Sequence, residues 1–145
     1  MVTTIKIKIL SIKPAGCHLL IKAAVNGKTA NLLIDTGASQ TVFDVNRMNK
    51  FTTQKAFNKN ENLSSGLGTS SMQSHDFKIK EFKLGELVLK NYNVLLLDLA
   101  HVNKTYMSLK LKPIDGVLGG DILKKYSALI NYKSKAMQFS FKKTK

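Results

Sequence analysis

Residues 18–35 read HLLIKAAVNGKTANLLID, two half-apolar runs meeting at Asn26-Gly27. Asn-Gly accepts the positive φ angles of a two-residue turn, and such a turn joins antiparallel neighbours with little room for any other geometry. The same grammar recurs along the chain. Ile5, Ile7 and Ile9 alternate with Lys6 and Lys8 as one half-exposed strand, and DFKIKEFKL at 76–84 alternates again before a turn at Gly85-Glu86. LVLKNYNVLLLDL at 87–99 supplies one or two buried strands, and TVF at 41–43 a short one. ALINY and AMQFSF flank residues 133–135 as a closing hairpin. Asp44 is placed to cap a short helix running to Asn49, and DILKKY forms a second short helix beginning near Asp121. Residues 52–71 and 99–113 read as loops, the first an insertion between strands. Many short strands without strand-helix-strand spacing predict an all-β fold, a closed or strongly curled barrel with one or two short helices.

At 145 residues the chain fits a single domain, 1–145, with enough apolar content (43%) to bury a core. No apolar run approaches the roughly 20 residues of a membrane span. The lysine-isoleucine alternation at the start lacks the continuous apolar centre of a secretory signal, so a cytoplasmic location is the simplest expectation, with a removed leader left open. Cys17 is the sole cysteine, which rules out an intrachain disulfide. The net charge of +14 invites a nucleic-acid partner, but Arg47 is the only arginine among 23 basic residues. Base and phosphate recognition leans on arginine's planar fork, and lysines dispersed along the whole chain predict no specific nucleic-acid binding.

The chemistry concentrates in LLIDTGAS, residues 32–39. A carboxylate directly after three aliphatic residues is costly to bury and needs a reason to stay there. Gly37 lets the backbone turn sharply after it. Far downstream, GVLGGDIL at 116–123 repeats the scheme of an apolar strand, a glycine-opened turn and a short helix. A phosphoryl-transfer reading of the D-x-D type needs a second acid two residues on, and that position is Gly37. Asp35-Thr36-Gly37 also suits a simple turn, which the three aliphatics before it and the downstream motif argue against.

LLIDTGAS followed by GVLGGDIL in this order resembles the retropepsin-like aspartic proteases, over about residues 18–141. The long hairpin after the second helix is more similar to the cellular and bacterial single-domain members than to the viral ones. The resemblance implies a retropepsin-like barrel and a homodimeric aspartic endopeptidase with no metal or cofactor. It implies catalytic roles for Asp35, Thr36 and Gly37, with Thr36 gripping its counterpart across a two-fold axis and the Gly37 amide meeting the carboxylate. It places Ala38, Ser65, Gly66, Leu67, Gly68 and Thr69 at the substrate, the last five as a flap, though one without the aromatic residue of pepsin-like flaps. Gly119 and Asp121 belong to the loop and helix beneath the site, where Asp121 is expected to cap its helix. In pepsin-like sites the residue three after the aspartate is often a hydroxyl donor; here it is Ala38, with the hydroxyl displaced to Ser39, which implies a mildly acidic to neutral optimum.

Aspartic proteolysis needs two carboxylates sharing a proton, and this chain holds one Asp-Thr-Gly. Asp44, Glu61, Asp76, Glu81, Glu86 and Asp98 lack the following Thr-Gly, and Asp115-Gly116 precedes an apolar strand where Asp35 ends one. A second copy of the chain is therefore the expected source. A peptide or protein is the expected substrate. The alternatives are a non-catalytic dimeric peptide-binding module of the same fold, and a basic nucleic-acid-binding barrel. His18, His75, His101 and Cys17 show no metal-ligand spacing.

Overall fold

The computed structural model describes residues 1–13, 16–60 and 73–142. Two strands open the chain, β1 (Val2–Lys6) and β2 (Lys8–Ile12). They are not the single strand that the isoleucine alternation suggests. Ile7 is buried like Ile5, yet its amide donates to Lys135 O at 2.9 Å, and the chain passes there from one sheet to another.

The hairpin forms as the Asn-Gly turn requires. β3 (Gly16–Val25) and β4 (Lys28–Ile34) pair antiparallel, with Asn26 at φ 50° and Gly27 at φ 81°. Asn26 then fastens the turn to its surroundings, donating to Phe51 O at 3.2 Å and accepting from Glu81 N at 3.1 Å. Next come β5 (Val42–Asp44) and a 3-10 helix over Val45–Lys50, whose first turn Asp44 caps by accepting from Asn46 N. The strands β6 (Asn58–Asn60), β7 (Ser74–Leu84) and β8 (Leu87–Leu97) form a meander in which β7 and β8 pair over nearly their full length.

Residues 100–108, expected as loop, form a helix, α1 (Ala100–Ser108). Its buried face carries Asn103 and Tyr106, not an aliphatic stripe, so the helical period is invisible to hydrophobicity. Asn103 anchors it, donating to Asp44 Oδ2 and Ile114 O and accepting from Ile114 N at 2.8 Å. The chain closes with β9 (Gly116–Leu118), the single-turn helix α2 (Gly120–Leu123), β10 (Leu129–Asn131) and β11 (Ala136–Ser140).

Two sheets result. The larger runs β2-β3-β4-β9-β5-β8-β7-β6, and an extra pairing of β3 with β7 closes six of these strands into a barrel. Within it β9 lies parallel to β4 and antiparallel to β5, and β5 lies parallel to β8. The barrel interior holds Leu32, Phe43, Ile79, Phe82 and Leu118, each fully buried, with Phe43 and Phe82 meeting edge to face. The smaller sheet, β1-β11-β10, packs Met137 and Phe139 against the same core. The fold is thus all-β, the closed barrel with short helices that the alternation predicts. No helix among the described residues is long and apolar enough to cross a membrane.

Candidate active site

Asp35 stands one residue beyond β4, and its amide extends the ladder to β9 by donating to Leu118 O at 3.0 Å. The chain then turns: Ala38 N donates to Asp35 O at 3.2 Å, and Gly37 N donates to the Asp35 carboxylate, Oδ1, at 2.9 Å. A Cβ at position 37 would stand 3.3 Å from that same oxygen, so glycine leaves the amide its close approach. The Asp35 side chain is half-exposed, and Thr36 and Gly37 are exposed. Among the described residues the Gly37 amide is its only hydrogen-bond donor, and no cation pairs with it.

The turn rests on the loop between β9 and α2. Gly120 N donates to Ala38 O at 2.7 Å and Asp121 N to Ser39 O at 3.1 Å. Gly119 has no room for a side chain, since a Cβ would come within 2.6 Å of the Gln40 backbone. Thr41, fully buried, donates through Oγ1 to Asp121 Oδ1 at 2.8 Å and accepts from Gly119 N at 3.1 Å. Tyr92 donates to Asp121 Oδ2 at 2.7 Å. Burial, then the Asp121 carboxylate, push the Tyr92 phenol well above its usual titration range. Asp121 therefore does not cap α2, as its position suggests; Gly119 is the N-cap, and the carboxylate instead joins Thr41, just before β5, to Tyr92 on β8.

Ala38 is 4% exposed, its methyl group in a cluster with Val42, Leu97 and Val117, and its amide and carbonyl are both bonded within the chain. It is thus almost fully covered in the single chain. Ser65, Gly66, Leu67, Gly68 and Thr69, expected as a flap, lie outside the described residues.

Beside Asp35 the surface opens into a hollow of about 320 Å³ whose walls include Cys17, His18, Leu33, Thr36 and Tyr132. His18 is held there by Tyr106, whose hydroxyl lies 2.7 Å from Nδ1 and has no other partner among the described residues. Burial raises the titration point of the Tyr106 phenol; the hydroxyl donates to Nδ1 in one His18 tautomer and accepts from it in the other. No spacing or periodicity links this pair, 88 positions apart. His75 is half-buried on β7 and His101 exposed on α1. Among the described residues no three His, Cys, Asp or Glu side chains converge on a point that could hold a metal ion.

Asp115, the nearest rival to Asp35, has a different environment. It is fully buried and accepts from Arg47 Nε at 2.8 Å, Lys50 Nζ at 3.0 Å and Asn31 N at 2.8 Å. Asp44 is likewise spent on the amides of Asn46, Leu99 and Asn103.

The barrel with a carboxylate-bearing turn at the end of β4 and a glycine-opened helix beneath it is the retropepsin-like architecture of aspartic proteases. A family model described as aspartyl protease matches residues 21–122, and the chain belongs to that family. Among solved structures it is similar to a retropepsin-like aspartic protease from Rickettsia conorii, with 16% identity and a TM-score of 0.57 over 96% of this chain and 91% of that one. It is similar to the retroviral protease-like domain of Ddi1 from Leishmania major, with 11% identity and a TM-score of 0.56 over 86% and 93%. EIAV protease complexed with the inhibitor HBY-793 shows 18% identity and a TM-score of 0.57 over 84% and 99%. No curated protein matches the chain significantly.

Proposed function

We propose that the chain is a homodimeric aspartic endopeptidase in which two Asp35 carboxylates, one from each copy, form the site. The observation that carries this reading is the open state of Asp35: among the described residues one amide donor and no cation, and a half-exposed position on an exposed turn. A carboxylate so placed keeps lone pairs free for water and for a second carboxylate. Two of them held close share one proton, because both cannot ionise at that separation. The ionised member takes a proton from water as the water oxygen bonds to the scissile carbonyl carbon. The protonated member donates to the carbonyl oxygen. Collapse of the tetrahedral species returns a proton to the amine as the C–N bond breaks.

Thr36 would meet its counterpart across the axis and hold the paired turns, and Gly37 keeps its amide on the carboxylate. Residues 65–69 would close over an extended peptide held as an added strand.

Mixed dimers test the shared site. Wild-type and Asp35→Asn chains are unfolded together and refolded at varied ratios, and exchange is verified by sedimentation. Activity should fall as the square of the wild-type fraction, leaving roughly a quarter in an equal mixture. A linear fall in fully exchanged samples would sink the two-chain site.

A further inference from the structure

The hollow beside Asp35 holds a polar group that the proposed chemistry does not use. His18 is half-buried on β3, and the register that pairs Leu20 with Leu33, counted on by two residues, brings it level with Asp35. Tyr106 reaches it from α1, with its hydroxyl 2.7 Å from Nδ1 and the two rings tilted by 31° at a centroid distance of 5.8 Å. Tyr106 is fully buried, and among the described residues its hydroxyl bonds to His18 alone. Burial keeps the phenol protonated, so the hydroxyl stays a fixed anchor for the ring. The other ring nitrogen, Nε2, has no partner among the described residues.

The wall around His18 is mostly apolar. Leu33, Ile34 and Ile130 contribute hydrocarbon, Asp35 is the only carboxylate, and His18 is the only side chain there able to carry positive charge. A purely aliphatic occupant would cover Nε2 and leave it unsatisfied, a cost that an occupant with an acceptor oxygen avoids. Nε2 is a donor both in the neutral tautomer that accepts from Tyr106 and in the imidazolium. A carboxylate is the strongest acceptor that a peptide side chain offers to such a donor. The net charge of +14 also favours the approach of an acidic peptide over a basic one.

We infer that His18, held by Tyr106, selects peptides that carry a glutamate or aspartate beside the scissile bond. The acidic side chain enters the hollow with its stem along Leu33 and Ile130 and its carboxylate on Nε2. This rests on the proposed function at one point, that Asp35 marks the place where the bond is cut. Tyr106 is a positioning residue. It touches no substrate, but with Nδ1 tied to a buried hydroxyl the ring keeps one orientation and Nε2 stays on the side of the hollow.

Peptide libraries with Glu, Gln or Leu on either side of the cleaved bond read the preference as kcat/KM. Wild type should favour Glu over Gln and over Leu at one flanking position by at least about ten-fold, as a hydrogen bond to a charged group implies. His18→Asn keeps an amide where Nδ1 stands, so Tyr106 retains a partner, but it is too short to replace Nε2. The Glu preference should vanish there with the melting temperature unchanged. His18→Gln carries its amide nitrogen to the place of Nε2 and should restore part of the preference. Tyr106→Phe frees the ring and should cut the Glu-to-Leu ratio by about three-fold or more, and a loss of folded protein leaves that ratio unmoved. A wild-type preference for Leu over Glu at both flanking positions, or a Glu preference that survives His18→Asn, would overturn the inference. Binding of the same peptides, fluorescein-labelled, to the Asp35→Asn chain separates it from the reading it rests on. Suppose the wild-type chain cleaves nothing, yet Asp35→Asn binds Glu peptides at least about ten-fold tighter than Leu peptides and loses that advantage with His18→Asn. Recognition by His18 then stands and the peptidase falls. Cleavage that depends on Asp35 but ignores acidic residues does the reverse.

Discussion

Asp35 and Asp115 sit at opposite ends of one parallel strand pair and look alike in sequence, each beside an apolar run and a glycine. Leu32 pairs with Gly116 and Ile34 with Leu118, so Asp115 lies at the entry to the pair and Asp35 at its exit. At the entry two cations and an amide meet the carboxylate in full burial, and its own carbonyl accepts from Asp44 N. At the exit one amide meets the carboxylate and the rest faces outward. A saturated carboxylate holds structure together and has nothing left for a substrate. An under-coordinated one contributes little to the fold and remains available for proton transfer.

The largest effect that can break this contrast is on catalysis. Asp35→Asn keeps an oxygen for the Gly37 amide and removes the charge, so cleavage of a peptide library should fall by roughly 10²–10⁴-fold or more, with the melting temperature unchanged. Cleavage at the wild-type rate would move the chemistry elsewhere, and Asp115 would be the first residue to reconsider. Asp115→Asn should do the opposite. It turns an amide donor toward Lys50 or the Asn31 amide and leaves two cations without their counter-charge. The cost should be about 3 kcal/mol, at the low end for a broken buried pair because Arg47 and Lys50 keep about a third of their side-chain surface in water. Denaturant unfolding measures it, and the folded fraction should retain its specific activity. An Asp115→Asn chain as stable as wild type would erase the distinction.

What the sequence showed and what it hid divide along the same line. The β3–β4 hairpin and the Asp35 turn were legible because their determinants are contiguous: an Asn-Gly pair between alternating runs, and a Thr-Gly directly after the carboxylate. α1 was hidden because a polar residue, Asn103, anchors it to Asp44 and Ile114, partners that no periodicity points to. The break at Ile7 was hidden because a residue crossing between sheets stays as buried as one inside a strand. Asp121 was misread as a cap because its real partners, Thr41 and Tyr92, lie 80 and 29 positions away. Local chemistry announces itself in a sequence, whereas coordination across the fold does not.

Asp121 falls between the two extremes, half-buried, bonded to two hydroxyls and paired with no cation among the described residues, and it gives the smallest test. Tyr92→Phe removes one of its donors and leaves Thr41 in place, so near neutral pH the loss should be about 1 kcal/mol. The pH dependence identifies the bond. Burial and the neighbouring carboxylate raise the Tyr92 titration point above its unfolded value of about 10. A group whose folded state holds its proton more tightly adds stability in full below the unfolded value, and that share declines as pH rises from there through the folded one. The difference between wild type and Tyr92→Phe should therefore be constant from pH 7 to 9 and shrink above about pH 10, as the unfolded wild-type chain releases the phenolic proton. Lysine titration affects both chains alike and cancels in the difference. Denaturant unfolding at pH 7, 9 and 10.5 reads it directly. A gap that stays constant to the alkaline end would mean that the hydroxyl contributes by packing alone, and that Asp121 is held by Thr41 without help from Tyr92.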